Sequence, residues 1–117
     1  VYEMGFKTEF NWALKLKPKQ GLDEENLEVG KIYKFSKEEY RIYPVGIPID
    51  LLNRNWEAIA KVIIIEFKNN DGRTEGKYKV VKIYEGREKE VLTNYWRENV
   101  KLIKQEEITD FSDVKVS

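Results

Sequence analysis

The stretch Trp56-Glu-Ala-Ile-Ala-Lys-Val-Ile-Ile-Ile-Glu-Phe67 decides what kind of fold this chain can adopt. From Ala60 to Ile65 its apolar residues do not alternate, so they fall on both faces of any strand built from them. The β-branched valine and isoleucines favour that extended form. A strand that is apolar on both faces must be covered on both, which predicts a central position in a sheet. Next comes Asn69-Asn-Asp-Gly72, with the Asp-Gly pair of a tight hairpin, and Lys77 to Tyr84 return as the partner strand.

Upstream, Phe6 to Lys17 alternates. Phe6, Thr8, Phe10, Trp12, Leu14 and Leu16 share one side, and Lys7, Glu9, Asn11, Ala13, Lys15 and Lys17 the other. This is the pattern of a strand with one wet face, ended by Pro18 and Gly21. Gly21 to Gly30 is acidic and reads as a loop with a helical turn, and Lys31 to Phe35 as a short strand. Ser36 to Glu39 is expected to turn, and Tyr40 to Tyr43 to extend again. A corner at Pro44-Val-Gly46 separates that piece from Ile47-Pro-Ile-Asp-Leu51, where Ile47, Ile49 and Leu51 share a face. Pro48 has no ladder donor, which predicts an edge or a bulge there. Asn53-Arg54-Asn55 is a compact turn.

After Gly86 the period changes. Val91, Leu92, Tyr95, Trp96 and Asn99 recur at helical spacing, predicting an amphipathic helix over Glu88 to Asn99. Val100 to Ile103 is expected as a last strand. Residues 105–117 read as a polar tail with Ile108 and Phe111 as apolar anchors, outside a single β-rich domain of residues 1–104. The sum is a mainly β fold: an antiparallel meander or small, partly closed barrel of about six strands with one C-terminal helix.

Composition narrows the chemistry. The 117-residue chain has no cysteine and no histidine. That removes disulfides, thiolate metal sites, Ser-His and Cys-His nucleophiles and most zinc centres. Neither a cofactor nor a metal is indicated. The 21 basic and 21 acidic residues cancel, so the general basic excess of a nucleic-acid binder is missing. Abundant Lys, Glu, Ile and Val beside a single Met match the ion-pair-rich surfaces of heat-loving organisms, which is the expected source, with a very soluble ordinary domain as the alternative. The longest apolar run, Val62 to Ile65, is far short of the roughly 20 residues of a membrane-spanning helix. No leader is readable, and the expected location is the cytoplasm. The sequence specifies no oligomeric state.

Four groups of residues could carry function, one of them the Val91–Trp96 face of the C-terminal helix, expected to pack on the core and, if exposed, to be a partner-docking surface. Tyr33, Tyr40, Arg41 and Tyr43 interleave aromatic rings with cations, as small barrels do when they hold single-stranded RNA or DNA. The plainer reading puts the rings inside and the cations outside, where they cannot cooperate. Asp50 and Glu57 flank the Asn53–Asn55 turn and could form a carboxylate pair for hydrolysis or hold a hard cation, although no catalytic motif surrounds them. Lysines 15, 17, 19, 77, 79 and 82 could meet an acidic partner or guard sheet edges. With catalytic motifs missing, the expected function is a non-enzymatic module that binds or regulates a macromolecule. An RNA-binding barrel and a carboxylate-dependent hydrolase are the alternatives.

The segments Glu9-Phe10-Asn11, Glu39-Tyr40-Arg41-Ile42-Tyr43-Pro44, Ile47-Pro48-Ile49-Asp50 and Glu57-Ala58-Ile59 resemble a family of short bacterial proteins of unknown function. The resemblance spans roughly Glu9 to Ile83 and leaves the helix and tail after Gly86 as an extension. It implies no activity.

Overall fold

The computed structural model describes the backbone of residues 8–115 and the side chains of residues 11–102. The strands are β1 (Thr8–Phe10), β2 (Ala13–Lys15), β3 (Ile32–Glu38), β4 (Tyr40–Ile42), β5 (Pro48–Leu52), β6 (Ala58–Asn70) and β7 (Arg73–Ile83), followed by helix α1 (Gly86–Lys115). Five of them form one sheet in the order β2-β5-β6-β7-β3, and β1 pairs with β4 separately. The small, partly closed barrel with a C-terminal helix is the fold that forms.

β6 is the middle strand of the larger sheet, as its two-sided apolar pattern predicts. Its hairpin to β7 turns on Asp71 and Gly72, with φ of 52° and 76°. Two successive left-handed residues give the turn whose twist matches that of the flanking strands. Farther along, Gly76 pairs between Phe35 and Phe67. A Cβ there would run into the carbonyl oxygen of Glu66 and the ring of Phe35, so the glycine is what lets that ring lie over β7.

The N-terminal segment differs from expectation. It breaks at Asn11-Trp12 into β1 and β2, and each pairs in parallel, β1 with β4 and β2 with β5. Leu14 and Leu16 are fully buried, but Trp12 is 66% exposed, because the break moves it off the inner face. Phe6 lies outside the described residues, as do the side chains of Thr8 and Phe10. The expected turn at Ser36 to Glu39 contracts to Glu39 alone, at φ 70°, and residues 36–38 stay in β3. β5 is not an edge strand. Pro48 is tolerated because it is the first residue of β5, while β2 pairs only with Asp50 to Leu52, and the bulge falls at Leu51/Leu52. Ile49 and Leu51 are buried but Ile47 is exposed. α1 runs through Val100 to Ile103, so the last expected strand is helix instead. The side chains of Ile108 and Phe111 lie outside the described residues.

The main core fills the inside of the curled sheet with Leu14, Leu16, Phe35, Tyr43, Ile49, Leu51, Val62, Ile64, Tyr78 and Val80 among others. Tyr43 meets Phe35 and Phe67 edge-on, with ring centroids 5.5 and 5.9 Å apart. β2 and β3 are the two margins of the five-stranded sheet, and one side chain joins them. The buried Lys37 of β3 reaches across and donates from Nζ to the Lys15 carbonyl of β2 at 2.5 Å. A charge-assisted bond thus bridges the two margins.

Lys37→Met keeps most of the apolar stem but removes the ammonium. It is expected to lower stability by about 1.5–3 kcal/mol, the worth of a hydrogen bond to a charged group. Urea unfolding followed by far-ultraviolet circular dichroism checks this, and an unchanged midpoint would show that closure does not depend on Lys37.

Candidate functional site

Asp50 sits on the face of β5 opposite the main core, in register with Ala13 of β2 and Lys61 of β6. That face carries a second apolar cluster. Leu52, Ala58 and Tyr84 are buried there, with Ala13, Trp56, Leu92 and Trp96 packed around them. Leu92 and Trp96 come from α1, so the helix covers this corner of the sheet. Asp50 is its polar centre: Oδ1 accepts from the Tyr84 hydroxyl at 2.5 Å, and Oδ2 accepts from Trp96 Nε1 at 2.8 Å. Burial first, and then the hydrogen bond to Asp50, push the Tyr84 hydroxyl pKa far above the ordinary tyrosine value.

Two further contacts fix the helix. Thr93 Oγ1 accepts from the Ala58 amide at 3.0 Å, supplying a partner for the first amide of β6. Arg97 donates from Nε and Nη2 to the Asn55 carbonyl at 3.2 and 3.1 Å. Val91 and Tyr95, expected on the same helix face as Leu92 and Trp96, are 50% and 55% exposed. Among the described side chains, up to residue 102, Leu92 and Trp96 thus meet the sheet while Val91 and Tyr95 face away from it.

Glu57 belongs to a different arrangement. The buried Asn53 donates from Nδ2 to Glu57 Oε1 at 2.7 Å and to Glu24 Oε2 at 3.0 Å. Its Oδ1 accepts from the amides of Asn55 and Glu57. The turn is therefore held by one asparagine side chain, and the left-handed residue is Trp56, at φ 63°, rather than an asparagine. Lys15 Nζ lies 4.2 Å from the centroid of the Trp56 ring. Asp50 and Glu57 are thus each engaged in separate hydrogen-bond sets. Among the described residues no group of three or more acidic side chains is placed to hold a metal ion.

The aromatic candidates also separate. Tyr43 is in the core. Tyr33 stacks on Tyr78 at 5.6 Å, and its hydroxyl accepts from the Glu28 amide and donates to the Asn26 carbonyl, pinning the acidic loop. Tyr78 donates to the Gly21 carbonyl at 3.0 Å, and burial, with smaller contributions from Tyr33 and Asp23, raises its pKa strongly. Tyr40 is half-buried, its hydroxyl accepting from the Gly72 amide at 3.4 Å. Arg41 turns back on the chain, donating from Nε to the Glu38 carbonyl at 3.0 Å and from Nη1 toward Asn11 Oδ1 at 3.5 Å. Its amide donates to the buried Thr74 hydroxyl at 2.8 Å. These four residues do not converge on one surface.

A cleft of about 660 Å³ does form elsewhere, across β3, β7 and β6. Lys19, Lys34, Lys68 and Lys77 line it, against Glu66 and Glu75. Lys34 and Lys77 are direct cross-strand partners, and Lys77 is 3.6 Å from Glu66. Arg73 donates from Nη2 to the hydroxyl of Ser36, another lining residue, at 2.8 Å. Of the sequence-level lysine group only Lys19 and Lys77 are here. Lys34 could be added only through the β3–β7 register, which a single sequence does not print.

The stretch that bears the Tyr-Pro and Ile-Pro-Ile segments thus makes β4, the corner and β5, all within one β-rich body. Residues 4–87 match a domain of unknown function, DUF2584. The chain belongs to the DUF2584 family. The matched region takes in the whole sheet and stops at the second residue of α1. No curated protein matches the chain. Among solved structures, the X-ray crystal structure of protein ytmB from Bacillus subtilis is similar in fold, with a TM-score of 0.55 and 24% sequence identity. That match covers 69% of this chain and 95% of the ytmB chain. Among the described residues of this DUF2584 protein, no helix is long and apolar enough to cross a membrane.

Asp50→Ala strands the Tyr84 hydroxyl and the Trp96 indole, and is expected to cost about 2–4 kcal/mol. Asp50→Asn recovers little, because an amide nitrogen then faces one of the two donors. Urea unfolding read by tryptophan fluorescence measures both, and wild-type stability in either variant would show that Asp50 does not hold the helix. Tyr84 also sets a pH dependence. Its folded pKa lies above the unfolded value of about 10, so its contribution is complete below about pH 10 and is lost as the pH rises further. Stability is expected to fall above that point more steeply in the wild type than in Tyr84→Phe, by up to about 1.4 kcal/mol per pH unit. Parallel declines of the urea midpoint in the two proteins would contradict this.

Proposed function

We propose that the protein is a non-enzymatic binding module whose ligand surface is the lysine-lined cleft, and that its ligand is an extended acidic peptide. The observation that carries this reading is the cross-strand pair Lys34–Lys77, flanked by Lys19 and Lys68, in a chain with no net charge. Like charges placed directly opposite in a sheet are destabilising; Glu66 already offsets Lys77, and a bound anion would offset the remaining charge.

The extended form of the ligand is supported by the edge strand. Val80 donates its amide to the Lys31 carbonyl and Glu39 donates its amide to the Gly72 carbonyl. The alternation of an antiparallel ladder then directs the odd-numbered residues of β3 toward β7 and the amide and carbonyl of Ser36 away from it, just past Lys34 and Phe35, where the Gly21 turn packs against the β3 backbone. An extended peptide lying along β3 would set alternate acidic side chains against the lysines of the cleft. Single-stranded nucleic acid is the less favoured ligand, because Tyr33, Phe35 and Tyr43 are used in packing and Phe67, the half-buried ring that lines the cleft, is engaged edge-on by Tyr43.

The test is fluorescence anisotropy with a labelled oligoglutamate peptide and a labelled oligothymidylate, at low and physiological ionic strength. Saturable, salt-sensitive peptide binding is expected, weakened at least about tenfold in Lys34→Glu/Lys77→Glu. Tighter binding of the oligonucleotide would favour the nucleic-acid reading. No binding of either would remove the cleft as a ligand surface.

A further inference from the structure

The corner of the sheet under α1 is built entirely from one part of the chain and filled entirely by another. Its walls are Ala13, Asp50, Leu52, Trp56, Ala58 and Tyr84, all within the family-matched residues 4–87. The groups that fill it, Leu92, Thr93, Trp96 and Arg97, all lie beyond that region. None of the wall residues lines the lysine cleft.

The contacts are specific to side chains. Two groups of the groove need a donor or an acceptor from outside the sheet: the second oxygen of Asp50 and the amide of Ala58. The helix meets them with the Trp96 indole and the Thr93 hydroxyl. The Asn55 carbonyl at the rim takes the Arg97 guanidinium. The apolar part is shallow, with Leu92 and Trp96 only half-buried. A shallow contact with specific polar anchors is how grooves hold amphipathic helices that come and go.

We infer that this groove is a receptor for an amphipathic helix, and that α1 is its cis occupant, exchangeable with a partner helix presenting the same face. That face has an aliphatic residue, a hydroxyl one position later, an indole four positions later and a guanidinium after the indole. While α1 is docked, the groove is closed to the partner. The tether gives α1 an effective concentration in the millimolar range, so a free helix competes poorly until α1 is released.

The test uses the full chain and a fluorescein-labelled peptide of residues 86–104. Binding to the wild type is expected to be weak. In Leu92→Ala/Trp96→Ala, whose own helix cannot fill the groove, the peptide is expected to bind at least about tenfold more tightly. Adding Asp50→Asn to that double variant is expected to remove most of the gain. A folded double variant that binds no better than wild type, or a gain that Asp50→Asn leaves untouched, overturns the proposal. If the double variant does not fold, hydrogen exchange on the wild type decides. Amides of α1 up to residue 102 are expected to be at least about tenfold less protected than those of β6 and β7, because the helix opens locally. Equal protection across all three would show that α1 is a fixed part of the core and overturn it.

Discussion

A strand as apolar as β6 is stable only when most of it is covered, and much of the architecture answers that demand. On the inner side, Ala60, Val62 and Ile64 are buried by residues from β2, β3, β5 and β7. That is possible only because the sheet curls. On the other side, Ala58 and its neighbour Leu52 are covered by Leu92 and Trp96 of the helix. The helix is thus not an ornament on a finished barrel. It covers the second face at the start of β6, over Ala58, while farther along that face Ile63 is half-buried and Ile65 is 38% exposed.

The same demand explains why the polar residues that stand out in the sequence act as fasteners. Asp50, just past two prolines, invites a catalytic reading. Its carboxylate instead takes two hydrogen bonds that tie β5 to Tyr84 and Trp96. Asn53 holds its own turn through both ends of its amide. Thr74 is fully buried and receives the amide of Arg41, anchoring the two-stranded β1–β4 unit to β7. Each is a polar group inside the protein with its bonding capacity used, the condition under which such groups are tolerated. Placed so, they specify which elements meet, while the apolar clusters supply most of the driving force.

Local pattern made much of this legible. The centrality of β6, the Asp-Gly hairpin and the helical period after Gly86 all follow from residues close in sequence. What the pattern missed depends on residues far apart. The even alternation from Phe6 to Leu16 continues across Asn11-Trp12, so nothing local announces the break that makes two parallel strands. Val91 and Tyr95 share the helical period with Leu92 and Trp96, and only the position of the sheet decides which stripe is covered. Val100 to Ile103 is short and apolar, a composition that suits a strand or a helix, and continuity with the preceding turns settled it as helix. The lysine cleft escaped for the same reason: Lys34 and Lys77 become neighbours only through the strand register.

The bond from Lys37 to the Lys15 carbonyl has one more consequence. Small folds made in oxidising surroundings commonly tie distant margins with disulfides, and those ties open only by chemistry. This chain has no cysteine, and its margins are held by an ammonium that can trade a carbonyl for water. The tie between β2 and β3 is therefore one of charge and hydrogen bonding, and undoing it would require no change in covalent chemistry.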